Sequence, residues 1–202
     1  TDPDAPKHRG VTMFLVPLDA PGVEIHPVYT FMDERTNATF YSEVRIPDYY
    51  RIGEVNGGVK VMSLALSQEQ SGGGYHRNLR EMAAAVVDWA QSTERDGKPV
   101  IEDPQILSRL ARVYTLANVS EGLEARVQAT RLAGDPDIAY GPAAKVFCTE
   151  AFITGSADLI DLAAPQSLLR GKDGLGLVEM GYRHSSATTI YGGTSEVLRS
   201  MV

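Results

Sequence analysis

The sequence predicts an α+β chain: part of an antiparallel β domain over residues 1–52, then an antiparallel four-helix bundle over residues 53–202. Three observations predict it. Up to Gly53 the runs "GVTMFLVPL", "GVEIHPVYT" and "ATFYSEVRIP" are rich in Val, Ile, Thr, Phe and Tyr, as strands are. After Gly57 and Gly58 the apolar residues recur with helical period. The helical half is divided by caps and stops into long pieces joined by short loops, which is the pattern of antiparallel neighbours.

Taken in order, the three extended runs are separated by turn signals, "DAPG" at 19–22 and "DERTN" at 33–37. Three such strands do not close a stable sheet unaided, so the first part of the β domain is expected to lie outside this sequence. The first long helix follows Gly58 and places Leu79, Met82, Ala83, Val86 and Ala90 on one face, until "DGKP" stops it. Asp103 caps the second helix, with Pro104 in its first turn. Its stripe is Ile106, Leu110, Val113, Leu116, Leu123 and Val127, and "GDPD" at 134–137 ends it. The third helix is expected from about Pro142 to Ala164, where Pro165 breaks it. The connector "RGKDGLG" leads to a short segment and a final helix from about Thr194. Trp89 is expected in the core.

Composition narrows the functions. The 19 basic residues are outnumbered by 26 acidic ones, which disfavours nucleic acid as a partner because phosphate binding needs clustered positive charge. The longest apolar runs are too short to span a bilayer; no signal peptide is expected, and a cytoplasmic setting is expected. Cys148 is the only cysteine, which excludes a disulfide framework within the chain; it is expected to be a buried helix residue. The four histidines, His8, His26, His76 and His184, lack ligand spacing, and no metal site is expected.

The succession R-T-N-A-T-F, V-R-I-P, I-G-E-V-N-G-G, long helix, and terminal "YRHSSATTIYGGTSEVLR" resembles the acyl-CoA dehydrogenase family. The resemblance runs along essentially the whole chain. It implies the second part of the family's middle β domain and most of its carboxyl-terminal helical bundle. It also implies FAD as cofactor, acyl-CoA as substrate and an electron-transfer flavoprotein as acceptor. In the family's reaction a carboxylate removes the α-proton of an acyl thioester while the β-hydride passes to the flavin.

In many members that carboxylate is the Glu of a Y-E-G-T motif. Here the motif reads Tyr191-Gly192-Gly193-Thr194, and the Glu position is Gly192. Members acting on long or branched acyl groups carry the base instead on the first bundle helix, in motifs like L-P-Q-E-R. Gln68-Glu69-Gln70 matches that pattern at its Glu. The resemblance therefore makes Glu69 the candidate base, with Gly192 clearing the space opposite; the alternative is a solvated helix glutamate. Gly72, Gly73 and Gly74 follow. Within a helix they would cost about 3 kcal/mol relative to alanine, which points to a widened acyl pocket or, equally, to a kink or close helix packing. Gln70, Gly72 and Gly73 are placed beside the substrate.

Thr194 and Glu196 match flavin-contacting positions of the family, and Thr194 also suits a helix cap. Tyr191 matches a position near the thioester, or is a buried structural tyrosine. Arg35 and Asn37 sit in a β-domain motif that lines the flavin or the substrate entrance. Two departures concern the neighbouring subunit's flavin. Where the family has Arg and Phe after the first long helix, this chain has Thr93 and Asp96, with Arg95 expected on the helix and turned elsewhere. Where it has a glycine loop, this chain has Ala163, Ala164 and Pro165. Alanine and proline keep backbone away from a phosphate, and proline lacks a donor. These losses imply a heteromer with a homologous subunit; the alternative is a homo-oligomer in which Arg95 or Lys98 substitutes. Two further functions are carried beside dehydrogenation: a non-catalytic partner subunit, and an oxidase or flavin monooxygenase of the same fold.

Overall fold

The computed structural model describes residues 1–69, 73–134 and 139–202, with the side chains of Lys7, Ser67, Gln68 and Glu69 outside the description. Contacts divide the chain into two compact units, Thr1–Gln68 and Glu69–Val202.

In the first unit, strand β1 (Met13–Phe14) pairs antiparallel with β4 (Arg51–Ile52), and β2 (Val23–Tyr29) pairs antiparallel with β3 (Arg35–Tyr41). The β2–β3 register runs from Val23 opposite Tyr41 to Tyr29 opposite Arg35. Two expectations change here. The first run shrinks to two residues, Met13–Phe14, paired with the equally short β4. The turn expected at 33–37 lies earlier. The Thr30 hydroxyl donates to the Glu34 carbonyl at 2.9 Å, and Asp33 takes a positive φ of 60°, a conformation Asp tolerates better than most residues. Arg35 and Asn37 therefore belong to a strand. Helix α1 (Gly58–Glu69) closes this unit. Gly58 starts it 2.8 Å, amide to carbonyl, from Val11, and a Cβ at Gly58 would meet that same carbonyl oxygen at 2.8 Å.

The second unit is a helical bundle of α2 (Tyr75–Ser92), α3 (Pro104–Leu132), α4 (Tyr140–Leu162) and α5 (Leu175–Thr188), followed by the short α6 (Ser195–Arg199). Helix α4 is the centre: it packs against α2, α3, α5 and α6. The expected stripe on α2 is its buried face, with Leu79, Ala83, Val86 and Ala90 inaccessible to solvent. On α3, Ile106, Leu110, Val113 and Val127 are buried, while Leu116 and Leu123 are half-buried. Asp103 caps α3 by accepting from the Gln105 amide at 2.8 Å. Trp89 packs against the core, and Cys148 is buried within it. Glycine allows two close approaches: a Cβ at Gly155 would meet the Leu79 side chain at 2.6 Å, and one at Gly181 the Met82 sulfur at 2.4 Å.

The bundle departs from expectation in three places. The first long helix is two helices, α1 and α2, separated by a turn in which Gly73 and Gly74 have φ of 82° and 74°. These glycines do not sit in a helix interior, so the expected helix-interior cost does not arise for them. The connector before α3 holds a two-residue antiparallel ladder, β5 (Glu94–Arg95) with β6 (Lys98–Pro99). Asp96 and Gly97, both at positive φ, turn it; an Asp-Gly pair suits such a two-residue hairpin. Arg95 is thus on a hairpin and not on a helix. The short segment expected after the connector is a full helix, α5, of 14 residues, which begins at Leu175 within "RGKDGLG".

Candidate active site

Two glycine turns of the bundle unit carry the residues of interest. The first is Tyr191–Thr194, where Gly192 and Gly193 have φ of 67° and 92°. A left-handed backbone favours glycine whatever the chemistry, so the conformation by itself accounts for a missing side chain at 192. Thr194 caps α6 by accepting from the Val197 amide at 3.3 Å. The backbone N–H of Glu196 itself, and then the Thr194 hydroxyl, hold the Glu196 carboxyl below the usual carboxylate range. Beneath the turn lies Lys145 of α4, only 3% exposed. Its ammonium donates to the carbonyls of Thr188 and Gly193, both at 2.8 Å. Charge-assisted bonds of this kind are strong, and a buried ammonium needs them.

The second turn is Gly73–Gly74. A Cβ at Gly73 would meet the Tyr75 ring at 2.5 Å, so this glycine makes room for that ring. The Gly74 amide donates to Glu124 Oε1 of α3 at 3.0 Å, and the other oxygen of Glu124 lies 3.4 Å from His76 Nδ1. Tyr75 is buried and stacks on Phe152, with centroids 5.2 Å apart and planes at 13°. Its hydroxyl donates to the Tyr191 hydroxyl at 2.9 Å, and Tyr191 lies 3.1 Å from His184 Nε2. Burial first, then the bond to Tyr191, pushes the Tyr75 phenol above the usual tyrosine range, so it remains a donor.

Of the residues singled out by sequence, Tyr191, Gly192, Thr194 and Glu196 share the first turn and its helix. Gly73 belongs to the second turn. Glu69 is the last residue of α1; its side chain, and Gln70 and Gly72 entirely, lie outside the described residues. Arg35 and Asn37 share one face of β3, where the Arg35 Nε donates to Asn37 Oδ1 at 3.0 Å. Sequence reasoning did not single out Lys145, Glu124 or Tyr75, and set His184 aside. A signal for Lys145 was present: it is a lone charge in the run "GPAAKVF". Glu124 carried none, because its partner is a backbone amide 50 residues away.

The acyl-CoA dehydrogenase C-terminal domain model matches residues 56–202. The chain belongs to the acyl-CoA dehydrogenase family. Among its relatives, Acyl-CoA dehydrogenase FadE26 of Mycobacterium tuberculosis is 34% identical over 215 aligned positions, covering 98% of this chain and 52% of the relative. The Tcur3481–Tcur3483 steroid ACAD superposes with a TM-score of 0.88 at 31% identity, covering all of this chain and 53% of the matched one. The ChsE4–ChsE5 complex from M. tuberculosis gives 0.84 at 33% identity, with coverages of 100% and 53%. The chain thus spans about half the length of FadE26 and FadE29, and 26% of FadE34. Its fold is that of the acyl-CoA dehydrogenases.

The family typically binds FAD. In the helical unit Gly192, Gly193 and Thr194 are half-buried, so a Cβ-free backbone and a hydroxyl-bearing residue reach solvent there. Among the described residues no helix is long and apolar enough to cross a membrane, and no three metal-ligating side chains come together.

Proposed function

We propose that the protein takes part in FAD-dependent α,β-dehydrogenation of an acyl-CoA thioester with a bulky acyl group, of the steroid side-chain class. The observation that carries this reading is the likeness to FadE26 along 98% of the chain, and the solved relatives it resembles include a steroid ACAD. Glu69, at the carboxyl end of α1, is the base in this reading: its carboxylate takes the α-proton as the carbon–carbon double bond forms. A flavin, when bound, supplies the acceptor for the β-hydride. Tyr191 packs beside the thioester, and Gln70, Gly72, Gly73 and Gly192 border the substrate. Thr194, Glu196, Arg35 and Asn37 contact the flavin. The domain boundary in this reading falls at 52/53, and an electron-transfer flavoprotein in the cytoplasm takes the electrons onward.

The functional unit is a heteromer with a homologous subunit, as two of the similar solved structures pair two different chains. Thr93 stands where the family's Arg would reach the neighbour's pyrophosphate, Asp96 stands in the family's Phe position, and Ala163 is buried where a glycine loop would be. One FAD per two chains follows. One observation favours a homo-oligomer instead: Arg95 and Lys98 face each other across the β5–β6 hairpin, both exposed, and this cation pair can stand in for the missing Arg. Counting FAD per chain in the full-length protein, alone and with its homologue, decides between them; one FAD per chain in a pure homo-oligomer removes the heteromer.

The function is tested by anaerobic titration of the complex with a panel of acyl-CoA thioesters, steroid side-chain thioesters included. Bleaching of the oxidised flavin by a bulky member supports the reading. No bleaching by any thioester leaves a non-catalytic subunit or a monooxygenase. Stoichiometric peroxide in air identifies an oxidase.

A further inference from the structure

The structure joins the two glycine turns through one bond between buried and exposed phenols. Tyr75 is 7% exposed and Tyr191 is 42% exposed, and the first donates to the second at 2.9 Å. Three separate contacts constrain Tyr75. Its ring lies flat on Phe152. Gly73 leaves space for the ring edge, which any other residue there would invade. Its backbone is held by the Glu124 carboxylate on the preceding Gly74 amide. On the other side, Lys145 ties down the carbonyl of Gly193, two residues after Tyr191. A phenol is a single donor on a rigid arm, so a hydroxyl locked in this way dictates where its acceptor sits.

We infer that Tyr75 is a positioning residue: its hydroxyl, braced through Glu124 and Gly73, sets the place of the Tyr191 phenol in the Y-G-G-T turn. This gives the Gly73–Gly74 turn a task of its own: it seats Tyr75. The consequence for rate rests on the dehydrogenase reading; the placement does not. Reactions that need near-attack geometry lose rate, and not ground-state affinity, when a positioning contact goes.

The test is Tyr75→Phe in the flavin-loaded complex, beside Tyr191→Phe and the double variant. Loss of a single hydrogen bond predicts flavin reduction about tenfold slower at saturating acyl-CoA, with FAD content and acyl-CoA affinity within about twofold of wild type. The double variant should be no slower than Tyr191→Phe alone, because the two hydroxyls act as one unit. An unchanged rate in Tyr75→Phe, effects that multiply in the double variant, or a Tyr75→Phe chain that fails to fold each overturns the inference. If wild-type flavin is reduced by no thioester, the dehydrogenase reading falls while the placement is still measured, by the nitrogen-15 signal of His184 Nε2. That signal moves in Tyr75→Phe if Tyr75 places Tyr191; an unmoved signal overturns the inference.

Discussion

The two units differ in where their apolar side chains go. In Glu69–Val202 the described apolar residues build a closed core around Phe152, Leu79, Leu159 and Val178, all inaccessible to solvent. In Thr1–Gln68 no described hydrophobic side chain is buried, and Tyr29 and Phe31 are 82% and 67% exposed. Hydrophobic burial is the main favourable term in folding, and within these residues the core lies in the helical unit. The difference teaches where function is held. The turns that need fixed geometry stand on the unit with the core, and they are tied to it by the buried Lys145 and the half-buried Glu124.

Substitutions can break this comparison, and the largest effect belongs to the core. Phe152→Ala should lower the unfolding free energy by about 3–5 kcal/mol, read from urea midpoints. Lys145→Met removes the donor from two carbonyls and should cost about 1–3 kcal/mol, the penalty for polar groups left unsatisfied. Asp103→Ala should cost about 1 kcal/mol through the lost cap of α3. Phe40→Ala, on the exposed β3, should fall within about 0.5 kcal/mol; a larger loss there would show that the strand unit holds a core of its own.

Alkali sharpens the same contrast. Burial pushes the Cys148 thiol up from 9.0 to about 12. A folded pKa above the unfolded one adds stability below the unfolded value, and that contribution drains away as pH rises through the folded value. Unfolding midpoints should therefore be steady below about pH 9 and fall from there toward pH 12. The native thiol should also resist thiol reagents at pH 8 until the chain unfolds; rapid labelling would contradict its burial.

Much of the bundle was legible because its signals are local. The α2 stripe from Leu79 to Ala90 and the Asp103–Pro104 start of α3 follow from spacing and caps alone. The break between α1 and α2 was not legible as a break: glycines inside a helical pattern read the same whether the backbone is right- or left-handed, and only their φ values separate the two. The β1–β4 bridge joins residues 37 and 39 positions apart, beyond any local pattern. At the site, the Y-G-G-T residues were legible from motif. The charges that hold the turns were not, since Lys145 and Glu124 act on backbone atoms brought near only by packing. Gly192 shows the limit most sharply. Its absence of a side chain suggested relocated chemistry, yet its φ of 67° is a sufficient reason for glycine. The assignment of the base therefore needs a test that does not lean on that vacancy.

Glu69→Gln provides it, because it keeps the side chain's shape and removes its basicity. The measurement is anaerobic flavin reduction in the assembled complex at saturating acyl-CoA. Loss of the general base predicts retained FAD and acyl-CoA binding with reduction at least about 100-fold slower. Reduction near the wild-type rate would contradict the assignment of Glu69 and, with it, the account of how this chain takes part in catalysis.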